Sequence, residues 1–143
     1  MKKILLFIIV LLTITGCNRN KTLKCSKDIS ENEIKMHQTS NMSYVNDKLE
    51  TIDISILVTI PDSYKAYMES SINNFKEQYS KLYEGNSHIT FSVNKKNDSE
   101  IVIDVSADYK NMTEEEKKKL DFNSSDDYDI NKKQLIQSGY QCE

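Results

Sequence analysis

Three cysteines are the residues of this 143-residue chain whose type and position could do chemistry. Cys17 closes the run Ile14-Thr15-Gly16-Cys17, behind Lys2, Lys3 and the unbroken apolar stretch 4–12. A positive start, a short apolar core and small residues at the cut make a secretory signal. A cysteine directly after the small residues gives the layout of a bacterial lipoprotein signal. Residues 1–16 are expected to be removed, and the Cys17 sulfur to carry a diacylglyceryl group with chains such as palmitate. One alternative is a membrane-spanning helix, which needs about 20 apolar residues, roughly twice the run found here. The other is an ordinary cleaved signal followed by a chance cysteine. Each buried methylene contributes about 0.8 kcal/mol, so one acyl chain holds marginally and two hold durably. The expected location is the extracytoplasmic face of a cell membrane.

Cys25 and Cys142 remain once Cys17 is lipidated. An even pair in an exported domain reads as a disulfide, here joining the two ends of the folded part. Closing such a loop could stabilise by about 4–5 kcal/mol in the chain-entropy model. Two free buried thiols are the alternative. A catalytic role has less support, because there is no C-x-x-C and no histidine lies near either cysteine in sequence.

Other chemistry is sparse. His37 and His88 are the only histidines, and each falls in an expected strand on the parity opposite the apolar residues. Both are expected to face water, and neither belongs to an H-x-x-H or H-x-x-x-H pair. Asp127-x-Asp129-x-Asn131 imitates the opening of a calcium loop. Glycine at the sixth position and glutamate at the twelfth would complete it, but Lys132 and Ser138 stand there. Asp126, Asp127 and Asp129 are better placed to start a helix, whose dipole favours acids at that end. No G-x-S-x-G, Walker loop or G-x-G-x-x-G is present. No metal site, cofactor or catalytic residue is therefore assigned. Eight tyrosines stand against no tryptophan. Tyr67, at the edge of a helical stripe, and Tyr109, after a strand, are candidates for contact with a sugar or a protein. Helical spacing already gives Tyr64 and Tyr79 a packing role.

The elements that must position these residues follow from periodicity. Residues 22–29 read as a short first strand containing Cys25, and Ser30-Glu31-Asn32 as a turn. Over 33–45, Ile34, Met36, Met42 and Tyr44 share one parity, diluted by Gln38 and Ser40. Asn46-Asp47 is a turn without glycine. Over 51–60, Ile52, Ile54, Ile56, Val58 and Ile60 alternate with polar residues, marking one buried and one wet face. Pro61 ends that strand, and Asp62 reads as the N-cap of a helix running to about Glu84. Its stripe is Tyr64, Met68, Ile72, Phe75, Tyr79 and Leu82, and Gly85 terminates it. Ile89, Phe91 and Val93, a turn over 94–99, and Ile101, Ile103, Val105 and Ala107 make a second hairpin. Thr113-Glu114-Glu115-Glu116 is a capping box opening a short helix that ends in Lys117-Lys118-Lys119. After a turn over 123–127 comes a last helix with Tyr128, Leu135 and Ile136, ended by Gly139.

The expected class is α+β. It has an antiparallel sheet of about five strands in two hairpin groups, one long helix on one face and two short C-terminal helices. The expected division is 1–16 signal, 17–21 tether and 22–143 a single domain, a common domain size. Loss of Lys2 and Lys3 takes the net charge from −3 to −5. With no basic stripe, nucleic acid is not an expected partner. Arg19 is the only arginine among 19 basic residues. With the many Asn and Ile, that suggests an AT-rich, Gram-positive source.

Several stretches together resemble the YehR-like family of small bacterial lipoproteins. They are the lipobox, the early cysteine, the Pro61-Asp62-Ser63-Tyr64 helix start and the Tyr83-Glu84-Gly85 exit. To these add Met112 to Asp121 and the terminal Gly139-Tyr140-Gln141-Cys142. The resemblance implies an α+β fold and an extracytoplasmic lipoprotein, and carries over no catalytic residues. The functional expectation is a non-catalytic interaction or accessory module of the cell envelope. The alternative is a binding protein for a small ligand, envelope polymer or metal ion, using a groove between helix and sheet.

Overall fold

The computed structural model describes residues 19–118, 120 and 125–143. The expected signal 1–16, Cys17, Lys119 and the first two residues of the expected 123–127 turn lie outside the described residues. Three twelve-residue strands come first: β1 (Asn20–Glu31), β2 (Ile34–Val45) and β3 (Lys48–Thr59). Each junction is a two-residue turn with both residues at positive φ: Asn32 (48°) and Glu33 (67°), then Asn46 (53°) and Asp47 (63°). That backbone matches the twist of paired strands, and asparagine reaches it more readily than most residues. The first turn is therefore Asn32-Glu33, not Ser30 to Asn32, and Glu33 does not start the second strand. β1 is also longer than the expected 22–29.

β3 begins at Lys48 rather than Thr51 because its ladder holds a bulge. Ser43 pairs with Thr51 while the next residue, Tyr44, pairs with Leu49, so Glu50 is extra. The inserted residue inverts the alternation. Leu49 thereby faces the same side as Ile52, and both are buried.

After Pro61 the chain makes a 3-10 segment, Asp62–Tyr67, before α1 (Met68–Leu82). Asp62 is not an N-cap. Its carboxylate pairs with Lys65 at 2.7 Å, and the 3-10 segment buries no residue. Tyr64, expected on the packed stripe, is 47% exposed. The stripe starts at Met68 and continues through Ile72, Phe75 and Tyr79. Gly85, at φ +75°, follows the helix as expected.

β4 (Ile89–Asn97) and β5 (Glu100–Ala107) form the second hairpin, with a tighter turn than the expected 94–99. A 3-10 turn, Tyr109–Asn111, leads to α2 (Glu114–Lys117), which carries the expected capping box. α3 (Tyr128–Gln137) and β6 (Gln141–Cys142) complete the chain. The sheet has six antiparallel strands in the order β4-β5-β3-β2-β1-β6, one more than the five expected. Two residues are too few for periodicity to mark β6; it pairs Cys142 with Cys25 and Gln141 with Ser26.

One face of the sheet carries the core. The first cluster gathers Leu23, Met42, Tyr44, Leu49, Ile52, Tyr109, Met112 and Leu120, with Tyr128 and Leu135 against it. The second gathers Val58, Met68, Ile72, Val93, Ile101 and Ile103 beneath α1. The opposite face is polar. Across it Ser55 donates to Asp104 at 2.6 Å, and the Ser106 hydroxyl donates to Asp53.

Candidate functional site

Ile54 and Ile56 point to the core side of β3 yet are only half-buried, unlike Ile52 and Val58 on the same face. The cause is a gap between the two helices that cover the sheet. α1 lies toward β4, and α3 contacts β1 and β6. Between them runs a groove of about 360 Å³. Its floor is Ser40 and Met42 of β2, Ile54 and Ile56 of β3 and Val105 of β5. Tyr79 and Tyr83 wall one side. Leu135, Ser138 and Tyr140 wall the other, with Lys27 and Gln38 at the rim.

Each wall has a local cause. Tyr79 and Tyr83 sit one turn apart at the end of α1, and both rings pack near Phe91, with centroids 6.0 and 6.4 Å away. Tyr140 leaves α3 through Gly139, whose φ of +87° strains any other residue. Lys27 shares the parity of Leu23 and Cys25, so its side chain reaches the core side. There it passes over Gly139, donates to the Ser138 carbonyl at 2.7 Å and lies 5.6 Å from the Tyr140 ring centre. Burial pushes the Tyr140 hydroxyl's pKa up, and a hydrogen bond with Gln38 opposes that shift.

α3 itself is held by polar contacts. Asp127 caps it, accepting from the amides of Asp129 at 2.9 Å and Ile130 at 3.0 Å. Asn131, only 2% exposed, donates to the Tyr44 hydroxyl and to the Ser125 carbonyl, both at 2.7 Å. Its oxygen accepts from the Ser125 amide at 2.8 Å. Asn131 thus turns inward and is engaged at both ends of its amide, while Asp127 starts the helix. The structure gives Asp127 the expected helix-starting role and Asn131 a buried packing role. Tyr44, enclosed with Asn131, has its pKa raised mainly by burial.

The Cys25 and Cys142 sulfurs are at disulfide distance, joining residues 117 apart in sequence. The bridge fixes β6 to β1 and so fixes the exit of α3 beside the groove. His37 is exposed and bonds Asp28 at 2.7 Å. His88 precedes β4 instead of lying within it and is half-buried, bonding Glu116 at 3.2 Å. Hydrogen bonding from the Thr113 backbone amide is the main cause that lowers the Glu116 pKa. The two histidines therefore serve separate carboxylates, and neither reaches the Ser–Asp pairs of the open face. Tyr67 is exposed as expected, but Tyr109 is buried in the first cluster and is no surface contact residue. The sequence reading gave no site role to Lys27, Ser40, Tyr83 or Tyr140. The parity of Lys27, a charge on an apolar face, was the available signal.

No family model and no curated protein matches the chain. A similar solved structure is an NMR structure of a protein from Streptococcus pneumoniae TIGR4, with a TM-score of 0.55 and 10% identity. The match covers 91% of this chain and 90% of that one. At that identity the likeness concerns the fold alone.

Proposed function

We propose that this chain is an extracytoplasmic, lipid-anchored protein of the cell envelope whose folded part is a non-catalytic binding module. The groove between α1 and α3 carries the reading. It joins an apolar, aromatic lining to a few convergent polar groups, the usual make-up of a ligand site. The Cys25–Cys142 bridge supports an oxidising compartment. The YehR-like resemblance belongs to the same proposal, and Cys17 is the attachment point.

The anchor sets an orientation. Three residues take the chain from Cys17 to the start of β1, a reach of about 10 Å. The Asn46-Asp47 end of the sheet then faces the membrane, and the Asp98-Ser99 turn points away from it. The groove opens sideways, available to a component of the envelope.

A photo-crosslinking pair tests this. p-Benzoylphenylalanine is placed at Tyr83 in the groove, or at Thr90 on the open face, of the anchored protein in its own membrane. A specific adduct at position 83, absent at 90 and lost in Cys17→Ser, is the expected result. Equal adducts at both positions, or none at 83, contradict the proposal.

A further inference from the structure

The chemistry of the groove narrows what fits. Among the described residues, no acidic one lines it. Lys27 is half-buried at its rim, and among the described residues its ammonium meets no carboxylate; its one hydrogen bond is to the Ser138 carbonyl. An ammonium has three donors, so the contact leaves capacity for an incoming acceptor. Ser40 lies on the floor, 3% exposed, and its hydroxyl has no partner among the described residues. A hydroxyl that lines the groove can donate to or accept from a guest. Since Cys25 pairs with Ser40 in the ladder, Lys27 stands on the diagonal from Ser40, with Gln38 directly opposite. Three polar groups therefore crowd one end, while Met42, Ile54, Ile56 and Val105 form the rest of the floor.

Resting on the groove as the working surface, we infer that it takes a small amphipathic monocarboxylate. The carboxylate sits between Lys27 and Ser40, and the apolar body lies on Met42, Ile54 and Ile56 against Tyr79 and Tyr83. A sugar would need polar groups along its whole length, and the floor offers them at one end. A cation would meet Lys27. A phosphate would find one ammonium and no arginine. It would also lie near the C-terminal ends of α1 and α3, each equivalent to about half a negative charge. A single carboxylate brings less charge to those two helix ends and matches the single lysine. The volume of about 360 Å³ lies near the lower limit of small-molecule sites.

The test uses three soluble probes of one shape on the isotope-labelled full chain, read by amide chemical shifts. They are 4-phenylbutyrate, 4-phenylbutyramide and 4-phenylbutylamine. The carboxylate should bind about fivefold more tightly than the amide, the size a partly exposed ion pair supports. The amine should bind most weakly. Shifts should cluster at Lys27, Ser40, Ile54, Tyr79 and Tyr140. Lys27→Gln should remove the preference for carboxylate over amide while amide binding persists and shifts elsewhere stay unchanged. Equal affinities, a preference surviving Lys27→Gln, or no shifts in the groove overturn the inference. Equal binding of all three probes in the groove overturns it while leaving the groove reading intact, which crosslinking judges separately.

Discussion

The two halves of the core are held by different means. The second cluster, under α1, is made of Val58, Met68, Ile72, Val93, Ile101 and Ile103, all apolar side chains. α1 has no side-chain cap at its start. Its position depends on area removed from water, which is strong and non-directional. The first cluster contains the buried Tyr44–Asn131 bond, the Asp127 cap next to it and the Cys25–Cys142 bridge. There directional contacts seat α3. The groove lies over the seam, where Ile54 packs on the first cluster, Ile56 on the second and Tyr79 on both. Neither kind of packing extends far enough to close the gap, so a sheet face built for burial is left partly open.

Perturbations should separate the two halves. Cys142→Ser should have the largest effect, costing about 4 kcal/mol in denaturant unfolding, because the open chain recovers the entropy of a very long loop. Faster amide exchange should appear most strongly in α3 and β6, with a smaller rise in α1. Uniform loosening of both helices would mean that the halves are not separate. Next, Ile72→Ala should cost about 3 kcal/mol by leaving a cavity, with exchange rising in α1 and not in α3. Asn131→Leu keeps the volume but strands the Tyr44 hydroxyl and the Ser125 backbone, for a loss of about 2 kcal/mol. A neutral result would show that α3 is seated by burial as α1 is. The smallest contrast compares two aspartates. Asp127→Ala should cost about 1 kcal/mol as a lost cap, whereas Asp62→Ala should leave the unfolding midpoint in place.

That contrast also marks where the sequence was readable. The alternation in β3 and β5, the Asn46-Asp47 turn, the capping box at Thr113 and the glycine exits at Gly85 and Gly139 are local signals, and the structure carries them. Pro61-Asp62 carried the local signature of a helix start too. The structure instead uses Asp62 to pair with Lys65 in a 3-10 segment, and defers the α-helix to Met68, where apolar contact begins. β6 depends on a partner 117 residues away, and the bulge at Glu50 on how its strand pairs with Ser43 and Tyr44, so no periodicity announces them. The groove was legible only in part. A space between helix and sheet could be anticipated from an α+β layout, but its lining could not. Ile54 and Ile56 have the same alternation as their buried neighbours. What exposes them is the lateral placement of α3, set by Asn131 and the bridge.

The most direct test of the central claim is hydrogen–deuterium exchange of the anchored protein, compared on its native envelope and in bare lipid vesicles. A working groove predicts slower exchange in residues 79–83 and 135–140 on the native envelope, with no change in 94–97 at the far edge of the sheet. Slowing confined to 94–97, or identical exchange in the two settings, would contradict it.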